Sequence, residues 1–316
     1  MWRCQLLRVF SALLILLAGA AFPSFVPAAT SRLNFVVIVV DDLGWADLAC
    51  YGSTYHQTPH IDRLASEGIR FTHSYAAAAI CSPTRAAYMT GRYPVRTGIT
   101  DWIRARFQGG KIPADRKKNL GWEGGPKQKL LTPVNPLWMG LEKITIPELL
   151  KTAGYSTCHI GKWHLGTDDW YPEKQGYDVN IGGCDLGEPP AYFDPYCRAP
   201  NLVEPGEEPL FGIPTLSPRL RDEYLTDREA DEAVHFIKTH KDQPFFLSLC
   251  HHAVHAPIQA KKKLIDKYSA ITLSEKNNLA ATMPAKSREL NAALEEWLNK
   301  TGAKIPRPNP EFSSGN

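Results

Sequence analysis

The sequence predicts an α/β fold: a doubly wound, mostly parallel sheet flanked by helices. Three observations lead there. Residues 34–40 are a continuous, largely β-branched run, and residues 244–250 are a second, predominantly apolar one, neither showing the polar alternation of a half-exposed strand. Such runs read as strands buried on both faces of a parallel sheet. Helical patterns alternate with the strands at the spacing of crossover units. Residues capable of chemistry follow the strands directly, where open α/β sheets gather their ligands.

The N-terminus reads as a secretory signal, with basic Arg3 and Arg8, an apolar stretch over 10–22 too short to span a bilayer, and small Ala28 and Ala29 for cleavage. Residues 1–29 are therefore expected to lie outside the fold. The protein is expected to be exported to a periplasmic, extracellular or lumenal compartment, with no stable membrane insertion after cleavage. Asp41 and Asp42 follow the strand over 34–40. Thr58 and Pro59 then start a short helix with Ile61, Leu64 and Ala65 on one face and Gly68 at its end. Residues 69–74 return as a strand. Ser82 and Pro83 begin a second helix that stops at Gly91.

Thr145, Pro147 and Glu148 open a third helix that closes at Gly154. Residues 155–160 form a strand running into Gly161, Lys162, Trp163 and His164. Residues 226–239 form an amphipathic helix, with Ala230, Ala233, Val234 and Ile237 as its apolar side. The strand over 244–250 ends at His251 and His252. Residues 284–298 read as a packed amphipathic helix with a stripe of Leu290, Ala293, Leu294, Trp297 and Leu298. Residues 305–312 are a proline-rich tail.

Two long loops interrupt the alternation. Residues 103–139 carry Arg104, Arg106, Lys111, Arg116, Lys117, Lys118, Lys127 and Lys129. They form either a solvated insertion or a wall that attracts an anion. Residues 183–222, rich in proline and glycine, read as a rim. The 316 residues are 43% hydrophobic and 22% charged, enough for a large core and inconsistent with disorder. A net charge of +3 is too small to indicate nucleic-acid binding. Outside the signal, Cys50, Cys81, Cys158, Cys184, Cys197 and Cys250 form neither a zinc pattern nor a disulfide framework. Cys184 and Cys197, in one loop, are the expected pair.

The candidate chemistry centres on Cys81-Ser82-Pro83-Thr84-Arg85. Cys81 stands at a helix N-terminus, where free N–H groups and the dipole favour anions, and Arg85 lies one turn further in. A plain thiolate with a histidine partner is the competing reading. Asp41 and Asp42 are hard oxygen donors suited to Ca²⁺ or Mg²⁺ rather than zinc; a turn or cap is the alternative. Lys162 and His164, two apart after a strand, point to one face if the chain stays extended. His255 again follows a strand, and histidine is a residue type that can handle protons.

The segments Val40-Asp41-Asp42-Leu43-Gly44, Thr58-Pro59-His60-Ile61-Asp62-Arg63-Leu64, Cys81 to Arg92, Gly161-Lys162-Trp163-His164-Leu165-Gly166 and His255-Ala256-Pro257 together resemble the type I sulfatases. This is the arylsulfatase family of the alkaline-phosphatase-like superfamily. The similarity runs from about Asn34 to Tyr268. It implies hydrolysis of sulfate esters, with Cys81 oxidised to formylglycine by a formylglycine-generating enzyme. One hydroxyl of the aldehyde hydrate attacks sulfur, the alcohol departs, and the second hydroxyl collapses to release sulfate.

By the same resemblance Asp41, Asp42 and residue 81 ligate calcium, and Arg85 stabilises the nucleophile. Lys162 and His255 contact the sulfate and assist the leaving oxygen, and His164 helps expel sulfate. The substrate implied is a sulfated small molecule or carbohydrate. The family's later Asp-Asn metal ligands and its further sulfate-gripping lysine have no counterpart here. Residues 30–270 thus resemble the N-terminal part of the catalytic domain and 271–316 its C-terminal end, joined without the section between. Weak metal affinity, low turnover and poor solubility are expected from such a join. Two other functions stand beside this one: a phosphoester or phosphonate hydrolase of the same superfamily, and a noncatalytic binder of sulfated glycans.

Overall fold

A computed structural model of the chain describes residues 32–104, 121–198, 212–217, 220–268, 284–301, 307–308 and 310. From Asn34 onward they belong to one unit. The proposed signal, the join near residue 271 and residues 105–120 of the basic loop lie outside the described residues.

The centre is a four-stranded parallel sheet in the order β1-β6-β4-β5. Its strands are β1 (Phe35–Val40), β4 (Ser156–Gly161), β5 (Val179–Ile181) and β6 (Phe245–His251). β1 pairs with β6 from Phe35↔Phe246 to Val40↔His251, and β6 pairs with β4 from Ser156↔Phe245 to Gly161↔Cys250. A separate antiparallel sheet joins β2 (Trp122–Glu123), β3 (Leu130–Pro133) and β7 (Arg307–Pro308). The parallel, helix-flanked sheet is the expected fold class.

One face is covered by α5 (Leu225–His240), which packs with Cys158, Ile160, Phe245, Leu247 and Leu249. The other face carries α2 (Cys81–Thr90) through Ala86 and Met89, together with aromatic residues from the loops. β6 and β4 are the buried centre, as their apolar runs require. β1 departs from expectation. It is the sheet edge, and Phe35, Val36 and Ile38 are 43%, 46% and 55% exposed. An apolar strand is buried on both faces only when elements cover both, and on this side none does among the described residues.

Several helices start and stop close to the punctuation expected of them. α1 (Pro59–Glu67) has Thr58 before it and Gly68 after, although Ile61 and Leu64 are exposed. α2 ends on Gly91 at φ +64, the left-handed cap that glycine takes without steric cost. A short α3 (Pro94–Thr97) follows. α4 (Ile146–Thr152) carries a full capping box: Thr145 Oγ1 accepts from Glu148 N, while Glu148 Oε2 accepts from Thr145 N at 2.7 Å. Thr145 Oγ1 also donates to the Gln175 carbonyl at 2.8 Å. Replacing Thr145 with alanine is expected to cost about 1–2 kcal/mol. Urea unfolding will show a lower midpoint at unchanged slope.

Five further expectations are corrected. Residues 69–74 form no strand, because no partner lies alongside them among the described residues and a ladder needs one. The buried stripe of α5 is Leu225, Glu229, Ala233 and Phe236, while Ala230 and Val234 are exposed; the helix is rotated so that a carboxylate faces inward. Cys184 and Cys197 form no disulfide, and Cys184 is buried in the aromatic core. The described part of the 183–222 loop is core rather than rim: Leu186, Tyr192, Tyr196, Ile213 and Leu216 are all buried. α6 (Lys262–Tyr268) and α7 (Pro284–Thr301) follow α5 and β6 in the chain, with Leu294 of α7 half exposed instead of packed. Among the described residues no helix is long and apolar enough to cross a membrane.

Candidate active site

The carboxyl ends of β1, β4 and β6 converge, and each delivers part of one cluster. Parallel strands in register make this inevitable: all three chains leave the sheet on the same side. Asp41 follows β1 directly, and its backbone bonds to the loop after β6. Asp41 N donates to the Ala253 carbonyl at 2.9 Å, and Val254 N donates to the Asp41 carbonyl at 2.7 Å. Asp42 then turns into the left-handed region at φ +57, which aspartate tolerates better than most residues.

Asp41 is the hub. One carboxylate oxygen accepts from Arg85 Nη2 at 2.9 Å, and the other accepts from Lys162 Nζ. All three side chains are buried. Burial alone would raise the Asp41 pKa, but Arg85 and Lys162 outweigh it and hold the carboxyl at about 2. Lys162 is driven below the ordinary lysine range by burial and then by Arg85, with Asp41 opposing the fall. Arg85 Nη1 donates to the Lys162 carbonyl at 2.5 Å, locking α2 to the end of β4.

Gly161 makes that approach feasible. It sits at φ +89, where a Cβ would come within 2.1 Å of the Cys250 carbonyl. The same carbonyl accepts from Lys162 N at 2.8 Å. Any side chain at 161 would push β4 and β6 apart where they deliver the cluster.

Cys81 is the first residue of α2 and is partly exposed. It opens on a cavity of about 420 Å³ that is also lined by Asp41, Asp42, Thr84 and Arg85. The two aspartates, the cysteine and the arginine of the sequence reading therefore share one space. His255 approaches from the β6 loop: its Nε2 is 3.7 Å from Asp42, and its Nδ1 is 3.8 Å from Glu188. Asp41, Asp42 and His255 present ligand atoms within 4.8 Å of one another. Two carboxylates and an imidazole are a donor set that suits a hard divalent cation, although they supply fewer than the six to eight ligands Ca²⁺ takes.

His164 is placed differently. It is buried, its Nε2 donates to the Ile103 carbonyl at 2.6 Å, and its own carbonyl accepts from Ser82 Oγ at 3.0 Å. Burial, and then the Lys162 charge, push its pKa well below the usual histidine value, so the ring is neutral at physiological pH. Its described hydrogen bonds tether the first turn of α2 and reach none of Cys81, Asp41, Asp42 or Arg85.

Sequence reading missed three participants. Glu188 carries no motif. Tyr192 lies in a loop read as rim, yet its hydroxyl reaches the carbonyls of His252 and His255 at 2.7 and 2.9 Å. Glu229 had a legible signal: it stands four residues after Leu225 and four before Ala233, so the stripe those residues define buries a carboxylate.

Comparison with known proteins follows the same lines. The Sulfatase family model matches residues 33–300. N-acetylgalactosamine-6-sulfatase of Rattus norvegicus is 35% identical over 273 residues, covering 82% of this chain and 45% of that protein. Among solved structures, Ps i-CgsB in complex with k-i-k-neocarrahexaose matches with a TM-score of 0.56 at 29% identity, over 77% of this chain and 50% of that one. BT4656 in complex with its substrate D-glucosamine-2-N,6-O-disulfate matches with a TM-score of 0.53 at 27% identity, over 79% of this chain and 40% of that one. The chain spans about half the length of the curated relatives it matches.

Proposed function

The chain belongs to the sulfatase family, and from that premise we propose that its cavity takes a sulfate ester, that of a sulfated carbohydrate, and hydrolyses it slowly. One observation carries the reading: Cys81, at the N-terminus of α2, opens on the same cavity as Asp41, Asp42 and Arg85. The relatives supply the substrate class, since one acts on N-acetylgalactosamine-6-sulfate by name and one is seen with a disulfated glucosamine.

Each residue has a part set by its position. The N–H groups of the first turn of α2 and the Arg85 guanidinium offer positive potential to an anion beside residue 81. Lys162 adds a second positive charge from behind Asp41. Asp41 holds both cations in place, which spares the site their mutual repulsion. His255, between Asp42 and Glu188, is the side chain placed to handle the proton of the departing alcohol. Conversion of Cys81 to formylglycine supplies the hydrated aldehyde that serves as nucleophile. A divalent cation held by Asp41 and Asp42 supplies charge for the sulfate oxygens. Export, and an encounter with a formylglycine-generating enzyme on that route, belong to the same proposal.

The test is peptide mass spectrometry at Cys81 combined with parallel assays on aryl sulfate and aryl phosphate. Conversion of thiol to aldehyde, with sulfate preferred, supports the reading; turnover of phosphate alone overturns it. Cation binding is expected to be weak because the ligand set is partial. Micromolar calcium should leave the melting temperature unchanged. At about 10 mM, with a dissociation constant of about 1 mM, calcium should add about 1.4 kcal/mol. That corresponds to roughly 3–6 °C in melting temperature, and Asp42→Asn should abolish the gain. Strong stabilisation at micromolar calcium would show that further ligands complete the shell.

A further inference from the structure

We propose that Glu229, on α5, is a positioning residue that fixes the end of β6 and thereby sets His255 against Asp42. The inference borrows from the functional reading only the importance of His255. Glu229 is 2% exposed, and its two carboxylate oxygens are divided between two neighbouring imidazoles. Oε2 lies 2.7 Å from His251 Nδ1, and Oε1 lies 2.6 Å from His252 Nδ1.

The chemistry of this arrangement has one solution. Burial would raise the Glu229 pKa, but the bonds and charges of the two histidines bring it below the ordinary glutamate value, so the group is ionised. An ionised carboxylate only accepts hydrogen bonds. Both Nδ1 atoms therefore carry protons and donate. One carboxylate thus sets the tautomer and the ring orientation of two consecutive residues. Partners that orient a working group in this way act through it rather than on the substrate.

These two residues are where β6 becomes the His255 loop. Beyond them the loop is held at four further points. Asp41 and the 253–254 backbone exchange two hydrogen bonds, at 2.9 and 2.7 Å. His255 N donates to the His252 carbonyl at 3.1 Å. The Tyr192 hydroxyl sits between the carbonyls of His252 and His255. Without Glu229, His252 would be a buried imidazole lacking any partner, since its Nε2 already has none among the described residues. A group so placed moves toward water rather than stay unpaired, and the loop backbone moves with it. Glu229 also lies beneath Gly161, with its Oε1 3.0 Å from where a Cβ would stand, so it backs the strand that delivers Lys162 as well.

The test is amide hydrogen exchange on the whole chain, wild type against Glu229→Gln. Glutamine keeps the shape but offers one acceptor oxygen, and it turns an N–H₂ group toward the second imidazole. The amides of Val254 and His255 are expected to exchange at least tenfold faster, while those of Cys158 and Leu247 inside the sheet keep their wild-type rates. A uniform acceleration throughout the sheet, or no change at Val254 and His255, overturns the proposal. Combining Glu229→Gln with His251→Phe leaves one imidazole for one amide oxygen and should bring both rates back to within about threefold of wild type. Failure of that rescue also overturns it.

A calcium titration read by the same exchange separates this claim from the functional reading. Glu229→Gln is expected to weaken calcium binding about tenfold through the displaced loop, and wild-type affinity in that variant counts against positioning. If the wild type itself binds no calcium, the functional reading fails, and the exchange rates at Val254 and His255 still decide the role of Glu229.

Discussion

Replacing Asp41 with alanine is expected to cost about 3–5 kcal/mol, the largest stability effect of any single substitution in the site. The reason is charge left behind. Arg85 and Lys162 are both buried and both donate to this carboxylate, and its removal strands two cations away from water. A domain has only about 5–15 kcal/mol in total, so the variant should sit near the edge of folding. Asp41→Asn should fare little better, because the amide keeps the shape and loses the charge. Urea midpoints will measure both. A loss under about 1 kcal/mol would mean that other groups neutralise Arg85 and Lys162.

The same ion cluster sets a pH dependence. The Asp41 pKa falls from an ordinary 3.8 to about 2 on folding, so the folded state favours the ionised form. Its contribution is complete above pH 3.8 and is lost as pH falls through about 2. At roughly 1.4 kcal/mol per pH unit, about 2 kcal/mol is at stake in that acid window. The Asp41→Asn variant should lack this part of the acid transition.

Replacing Cys81 with alanine is expected to lower sulfate-ester turnover about a thousandfold or more while barely touching stability. Removal of an attacking group costs factors of this order and larger. Cys81 is partly exposed at the start of α2, where the loss of a sulfur atom changes stability by no more than about 0.5 kcal/mol. The split matters: unchanged melting with abolished turnover assigns residue 81 to chemistry. Equal turnover in the two proteins would remove the nucleophile from the proposal. The aryl sulfate assay and a thermal melt on the same preparations decide between these outcomes.

Much of this was legible because each signal was local. Thr145 and Glu148, three apart, spell a capping box, and the helix starts between them. Asp41, Lys162 and His255 follow apolar strands, and parallel pairing carries their neighbours to one edge. What was not legible depended on distant partners. The apolar run in β1 encodes a wish for burial, but burial is supplied by whatever covers it. The strand expected over 69–74 failed for the same reason. The aromatic core of the 183–198 segment was hidden because tyrosines among glycines and prolines look like surface loop until α2 and β6 lie against them. Glu229 could have been found, since a carboxylate on a buried stripe needs a partner, but nothing in the spacing pointed to His251 and His252.

Under the proposed function, the Asp41 hub also bears on how the cavity would discriminate among anions. Two acids, Asp41 and Asp42, stand beside two bases, Arg85 and Lys162, and the four formal charges cancel. Such a neutral quartet exerts no net long-range pull of its own, so under the proposed function a doubly charged phosphate monoester would gain little from it over a singly charged sulfate ester on approach. Preference between them then rests on the short-range donors at the mouth of α2 and on any additional charge the aspartates recruit.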